Sequence, residues 1–370
     1  METNKQGSWA KGRLKEIAGM VDNRLEKYWE EEIKNNFGFT KSQKELIKRM
    51  LLHGKEHNLR SAKRARAVFV YYGYLLGQEL KESRNQELKM ETEKVWRAME
   101  AVELVHTALL IHDDFMDRDE VRRGGPTSQI FFGKKDAHYG ESMAVCLGDA
   151  VMCLGFERLL SCGFGAEIVN KAMKQFLRGI TNTVYGQAYD TSLPVLGKIT
   201  EEKILGLHRA KTAIYTYENP LLIGGILGGL GKKEIKILQE YSIDGGVAFQ
   251  LQDDILGVFG NEEKTGKSSN SDLLQGKATL LVAKVLKKGT GKHKGDLRKV
   301  WGKMKAKRQD IEKAKKAIRE SGSYDYSVKV ALKLAEKSIK TAGKLRGRGL
   351  NQEAIDYLEG IARYLVEREV

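Results

Sequence analysis

Only three prolines, Pro126, Pro194 and Pro220, interrupt 370 residues in which apolar side chains keep returning at three- and four-residue intervals. Proline removes a helical hydrogen bond and clashes with the preceding turn, so a chain this poor in it leaves long helices unbroken. Leu14, Ile17, Val21, Leu25 and Tyr28 line one helical face near the start, and Ile355, Leu358, Ile361 and Leu365 do so near the end. Strand-like alternation bounded by turn residues is scarce. The pattern predicts an all-α chain, and at this length a single helical domain can bury a large core.

Two acid clusters stand out against that background. Asp113-Asp114-Phe115-Met116-Asp117 and Asp253-Asp254-Ile255-Leu256-Gly257 lie 140 positions apart, each inside an apolar helical stretch. Asp113 and Asp117 are four apart, so on a helix both carboxylates leave one face a turn apart and repel each other unless a cation sits between them. Leu109, Leu110 and Ile111 precede the first cluster, and Val247, Ala248, Phe249 and Leu251 flank the second, a setting unlike a solvated stripe. One or two carboxylates per ion suit Mg²⁺, which keeps most of its waters and takes further ligands from substrate phosphates. The clusters are expected to form two facing walls of a magnesium site for a phosphorylated substrate.

Arg122-Arg123-Gly124-Gly125-Pro126-Thr127 follows where the helix should end, and paired guanidinium groups clamp phosphate. The string from Asp113 through Arg123 resembles the first aspartate-rich motif of the trans-isoprenyl diphosphate synthases, or polyprenyl synthetases. Phe249-Gln250-Leu251-Gln252-Asp253-Asp254 resembles the second, followed by Lys264-Thr265-Gly266-Lys267 and Asp272-Leu273-Leu274-Gln275-Gly276-Lys277. The resemblance runs from about Lys63 to about Leu281. It implies one synthase domain over 1–370, with a motif-bearing core at about 60–282 and a basic helical part at 283–370. The fold implied is a helical bundle around a central cavity, in a homodimer.

The resemblance also implies roles. An allylic diphosphate ionises, and isopentenyl diphosphate attacks the resulting cation through its double bond. Asp113, Asp117 and Asp253 would hold two or three Mg²⁺ ions, with Asp254 supporting through metal waters. Arg122, Lys211 and Lys267 would complete the positive ring, with Lys277 a further candidate. Lys63 and Arg66 fit the places of a Gly-Lys-Arg-x-Arg-Pro motif for isopentenyl diphosphate, although Ala62 and Ala67 replace its glycine and proline. His106 and Arg123 complete that site. Thr212 and Gln250 would direct oxygens at the cation, and the departing diphosphate would take the last proton. Gly257 stands where the second motif often has a third aspartate, and glycine cannot bind metal.

Product length is expected to be set on the helix leading to Asp113. Leu109 and Ala108 lie four and five residues earlier, and the turn near Val105 lies roughly 12 Å below the metals. None is aromatic, which favours geranylgeranyl diphosphate or something longer. A floor from Tyr71 or Tyr74 is not readable from sequence, and a farnesyl or longer-chain synthase stays open. A class I terpene cyclase shares the first motif but needs no site for isopentenyl diphosphate. A non-catalytic basic binding subunit would lean on the lysines instead.

Those lysines give the chain a formal charge of +15, concentrated in residues 284–320 with fifteen Lys and Arg against four Asp and Glu. Such a helix pair can attract nucleic acid or anionic lipid, but the reading preferred is a solvated face beside a loop at Gly289–Gly295. Trp301 is its only aromatic, so base stacking is unsupported and no nucleic-acid partner is expected. Cys146, Cys153 and Cys162 have no histidine at metal-ligand spacing and read as buried thiols. No signal peptide is evident and the apolar stretch Pro220–Leu230 is too short to span a bilayer, so a cytoplasmic protein is expected. Further expectations are two N-terminal helices broken near Asn35–Phe39, a surface loop at Lys81–Lys94, helices at about Gly148–Leu160 and Glu167–Ala188, and a helix start at Thr200-Glu201-Glu202. Gly224, Gly225, Gly228 and Gly229 read as allowing close helix approach.

Overall fold

The computed structural model describes residues 2–35, 40–78, 85–193, 199–260 and 270–366. Among them the only strands are a two-residue pair, Val121–Arg122 (β1) and Gly125–Pro126 (β2), and everything else of regular structure is helical. The all-α expectation holds. The chain forms two compact units, one made of Gly12–Lys174 with Ile223–Gly229, the other of Met1–Lys11, Gln175–Leu222 and Leu230–Val370.

The unit bearing the first acid cluster contains most of α1 (Glu2–Glu32), then α2 (Lys41–Leu59), α3 (Ala65–Leu76), α4 (Asn85–Asp117), α5 (Ser128–Phe132), α6 (Ala137–Leu160) and the start of α7 (Ala166–Ser192). The α1 periodicity buries Leu14, Ile17, Val21 and Leu25; Trp29 rather than Tyr28 completes the face, its indole N–H donating to Asn58 Oδ1 at 3.0 Å. Each such fully buried aliphatic contributes about 1.5–3 kcal/mol. The loop expected at Lys81–Lys94 is corrected from Asn85 onward, where α4 starts, and residues 81–84 lie outside the described residues. Lys, Glu, Gln and Met are strong helix formers, so charge there is no signal of a break. Helix α6 likewise begins before Gly148, at Ala137, because Asp136 caps it by accepting from the Tyr139 N–H. Gly224 and Gly228, in the segment from α9 (Asn219–Leu227) onward, lie so close to α3 that a Cβ would come within 2.1 Å of Val70 O and 2.4 Å of Tyr74 O. Their glycines are thus a packing requirement.

The other unit carries α8 (Glu201–Leu207), a π-helix over His208–Glu218, and α10 (Lys232–Phe259) with the second acid cluster. Thr200 caps α8 as the sequence suggests, accepting from the Lys203 N–H. The C-terminal part is α11 (Ser271–Leu274), α12 (Leu280–Lys288), α13 (Gly291–Arg298), α14 (Arg308–Glu320), α15 (Ser323–Gly343) and α16 (Gln352–Val366). The loop expected at Gly289–Gly295 shrinks, since Thr290 caps a helix that includes Gly291 and Gly295. The basic stretch is not wholly a solvated face either. Leu297, Val300, Ile311, Ala314 and Ile318 close a core with Ile255, Val258 and Leu273 of the motif-bearing segments. Lys284 is buried, its ammonium 2.9 Å from Glu201 and over the Tyr326 ring, whose hydroxyl donates to Glu201 at 2.6 Å. The cysteine reading also needs correction, as Cys146 and Cys153 are exposed and only Cys162 is buried; all three are free. No described helix is long and apolar enough to cross a membrane.

Candidate active site

Helix α4 delivers the first acid cluster in its last turn. Arg118 stops the helix in the left-handed conformation at φ 58°, and the Asp119 N–H bonds back to Asp114 O at 2.9 Å, a Schellman closure built without glycine. Gln129 seals the end, donating from Nε2 to Asp114 O at 3.0 Å and Asp119 O at 2.7 Å.

The three aspartates then part company. Asp113 is partly exposed and Asp117 exposed, while Asp114 is fully buried. Asp114 Oδ1 accepts from Arg122 through Nε at 2.6 Å and through Nη2, and its Oδ2 lies 3.5 Å from His57 Nε2. Arg122 also lies 3.4 Å from Asp119 and 3.8 Å from Asp113. Burial works against the Arg122 charge, but its hydrogen bonds to Asp114 and the charges of the surrounding aspartates outweigh it and raise its pKa. Burial is also what lowers the His57 pKa despite Asp114. Asp113 and Asp117 are solvent-accessible carboxylates at i, i+4 spacing, a donor pair that fits a Mg²⁺ that keeps its waters and takes phosphate oxygens.

Beyond α4 the chain doubles back in a hairpin. Val121 pairs with Pro126 and Arg122 with Gly125, and the two turn residues, Arg123 and Gly124, both have positive φ, 50° and 79°. That is the geometry of a tight two-residue hairpin, at a cost of about 1 kcal/mol for an arginine in the left-handed region. The turn puts Arg123 in the electrostatic company of Arg66, His106, Arg64 and Glu103. Burial first, with the neighbouring arginines, pulls the Arg123 pKa down to about 10. His106 is buried and its pKa is pushed well below 6.5, so it is neutral and its Nε2, 3.0 Å from Arg66 Nη1, accepts. Lys63 is exposed nearby in sequence, whereas Arg64 is buried on Asp22, Glu103 and Asn58 O. Ala67, where the family motif has proline, donates its N–H to Glu103 at 3.2 Å, a bond proline lacks.

The expected length-setting residues separate. Ala108 and Val105 are fully buried and Leu109 is partly exposed. Val105 packs closely against α6, where a Cβ on Gly155 would meet its Cγ2 at 2.5 Å. Tyr71 stacks near Trp96 and Tyr74 lies 5.8 Å from the Phe164 ring.

In the other unit the second cluster sits on α10, and again one acid is withdrawn. Asp254 is buried, accepting from Gln250 Nε2 at 2.8 Å with His208 Nε2 3.0 Å away, while Asp253 is partly exposed. Thr212 donates to Gln250 Oε1 at 2.8 Å, and Lys211 pairs with Asp190 at 2.8 Å. Thr212, Gln250 and Asp254 therefore form a chain of hydrogen bonds, so the Gln250 oxygen is engaged rather than standing open. Both Lys211 and Thr212 lie in the π-helix, which the sequence reading did not foresee. Gly186 of α7 and Gly246 of α10 approach it so closely that a Cβ would stand 2.8 Å from Lys211 N and 2.5 Å from Ala213 Cα. Asp272 takes the space left by Gly257, its Oδ2 2.2 Å from where a Cβ would be, and lies 3.5 Å from Lys277. Lys264 and Lys267 fall outside the described residues. Other side chains missed by sequence reasoning are His57, Arg60 and Asp190, which carry no motif signature; His208 lies in the string Leu207-His208-Arg209-Ala210-Lys211-Thr212 but was given no role.

A family model for polyprenyl synthetase matches residues 48–318. The chain belongs to the polyprenyl synthetase family. It is 33% identical over 280 residues to the geranylgeranyl diphosphate synthase of Saccharolobus solfataricus, covering 75% of this chain and 81% of that one. The geranylfarnesyl diphosphate synthase of Aeropyrum pernix is 32% identical over 271 residues, 72% of this chain and 81% of the relative. Among solved structures, the geranylgeranyl pyrophosphate synthase of Corynebacterium glutamicum, complexed with isoprenyl diphosphate and magnesium, matches with a TM-score of 0.83 at 26% identity, covering 100% of both chains. As a polyprenyl synthetase the protein is a prenyltransferase with the all-α fold of those enzymes.

Proposed function

We propose that the protein condenses isopentenyl diphosphate head-to-tail with allylic diphosphates, Mg²⁺-dependent, to make geranylgeranyl diphosphate. The observation that carries this reading is in one unit: an accessible Asp113/Asp117 pair and, one hairpin away, a separate cluster of Arg66, neutral His106 and Arg123. The first suits a diphosphate that must leave with metal help. The second binds anion through basic groups, so it can hold a diphosphate without ionising it.

Bound Mg²⁺ would neutralise charge building on the leaving diphosphate. Asp113 and Asp117 would hold it, and Asp253 is proposed as a further ligand. Asp114 and Asp254 are anchors: the first fixes Arg122, the second fixes Gln250 beside Thr212. Lys211, Lys267 and Lys277 are further allylic-diphosphate ligands, Lys211 leaving Asp190 to reach it. Lys63, Arg66, His106 and Arg123 bind isopentenyl diphosphate. Ala108 and Leu109 leave room for a twenty-carbon tail; relatives named for twenty- and twenty-five-carbon products both resemble this chain. We take the whole chain as one synthase domain working as a cytoplasmic homodimer.

A class I cyclase would have no use for Lys63, Arg66 and Arg123. Following isopentenyl diphosphate consumption with geranyl or farnesyl diphosphate as primer separates the two. The proposal requires consumption together with diphosphate release, and release without consumption would refute it.

A further inference from the structure

We infer that Arg60 is a positioning residue for the isopentenyl diphosphate subsite, holding the Arg122–Gly125 hairpin so that Arg123 reaches the Arg66–His106 cluster. The inference rests on the reading of that cluster given above. A hairpin of two residues per strand cannot hold itself in water. This one is held from below. Arg60 ends α2, and its guanidinium donates through Nη1 to Arg122 O at 2.9 Å and through Nη2 to Pro126 O at 2.8 Å, one carbonyl on each strand. The other edge is fixed by Glu56, which accepts from Nε at 2.9 Å and Nη2 at 2.6 Å and whose pKa falls mainly through those bonds. The Arg60 side chain is only 4% exposed, so it is spent on this task rather than on solvent or substrate.

The fit explains Gly125. A Cβ there would lie 2.5 Å from Arg60 Cζ, inside the guanidinium. Arg122 has a second anchor in Asp114 and Asp119, through its own side chain. Arg123, at the turn, takes its place from the backbone that Arg60 holds. Loosening Arg60 should therefore be felt at the isopentenyl site more than at the metal site. Lysine cannot replace it, because an ammonium lacks the planar fork that serves two carbonyls and a carboxylate at once.

The test is the KM of the full-length enzyme for each substrate in Arg60→Lys, Gly125→Ala, their double variant and Arg123→Ala. Arg60→Lys and Gly125→Ala are each expected to raise KM for isopentenyl diphosphate about tenfold, with KM for the allylic primer within about twofold. The double variant should be no worse than either alone, since both break one contact. Thermal unfolding checks that the variants remain folded. Arg123→Ala separates the two layers of argument: if it leaves KM for isopentenyl diphosphate unchanged, the subsite reading fails. If it raises that KM while Arg60→Lys and Gly125→Ala do not, or raise both KM values alike, the role of Arg60 is refuted. Should Arg60→Lys not fold, Gly125→Ala decides alone, and loss of folding in both would also refute a positioning role.

Discussion

Asp113 and Asp114 are neighbours in sequence, yet losing them should damage different properties. Asp114 is fully buried and is the main acceptor for Arg122, whose side chain is only 20% exposed, with His57 3.5 Å away on the other oxygen. Removing one partner of a buried pair costs about 3–5 kcal/mol, because the other is left charged and dry. Arg122 can still turn to Asp119 at 3.4 Å, so Asp114→Ala is expected near the lower end, about 3 kcal/mol. Asp113 is partly exposed, and Asp113→Ala should change stability by no more than about 0.5 kcal/mol. Its kcat should instead fall at least a hundredfold, on the scale of lost electrostatic stabilisation of a leaving group. Urea denaturation of both variants beside steady-state turnover in saturating Mg²⁺ makes the comparison. Near-normal turnover of Asp113→Ala, or an Asp114→Ala enzyme as stable as wild type, would refute the division of labour.

Other expectations concern substrates, length and charge. Lys63→Ala or Arg66→Ala should mainly raise KM for isopentenyl diphosphate, and Lys211→Ala should mainly impair use of the allylic primer; equal effects on both substrates from every variant would contradict the assignment. Ala108→Phe puts a rigid ring about one and a half helical turns before Asp113 and should shorten the product with turnover largely kept. An unchanged product would move length control to another helix, with Tyr74 and Phe164 the next positions to test. The basic segment 284–320 should bind duplex and single-stranded DNA at most weakly and with steep salt dependence, and tight sequence-selective binding would overturn that.

The helices, the two acid clusters and the arginine pair were legible because periodicity and carboxylate spacing are local properties of the chain. What the sequence hid is how acids in one motif divide. Asp113 and Asp114 look equivalent in a string, and only burial against His57 and Arg122 tells anchor from candidate ligand. The same holds for Asp254 beside His208 and Gln250. The π-helix was not legible because no local residue pattern in His208–Glu218 separates it from an α-helix. The gap left by Gly257 was legible as a lost carboxylate, but not that Asp272 fills the space from fifteen residues downstream. Helical register also could not show that Gly155 of α6 receives Val105 so closely.

Isopentenyl units should add repeatedly to an allylic primer and stop at twenty carbons. The enzyme incubated with Mg²⁺, radiolabelled isopentenyl diphosphate and each allylic primer in turn, its products then sized by mass, tests it most directly. Labelled geranylgeranyl diphosphate should form from every primer and be abolished when a chelator removes the metal. Unconsumed isopentenyl diphosphate, or labelled product formed equally without divalent metal, would contradict it.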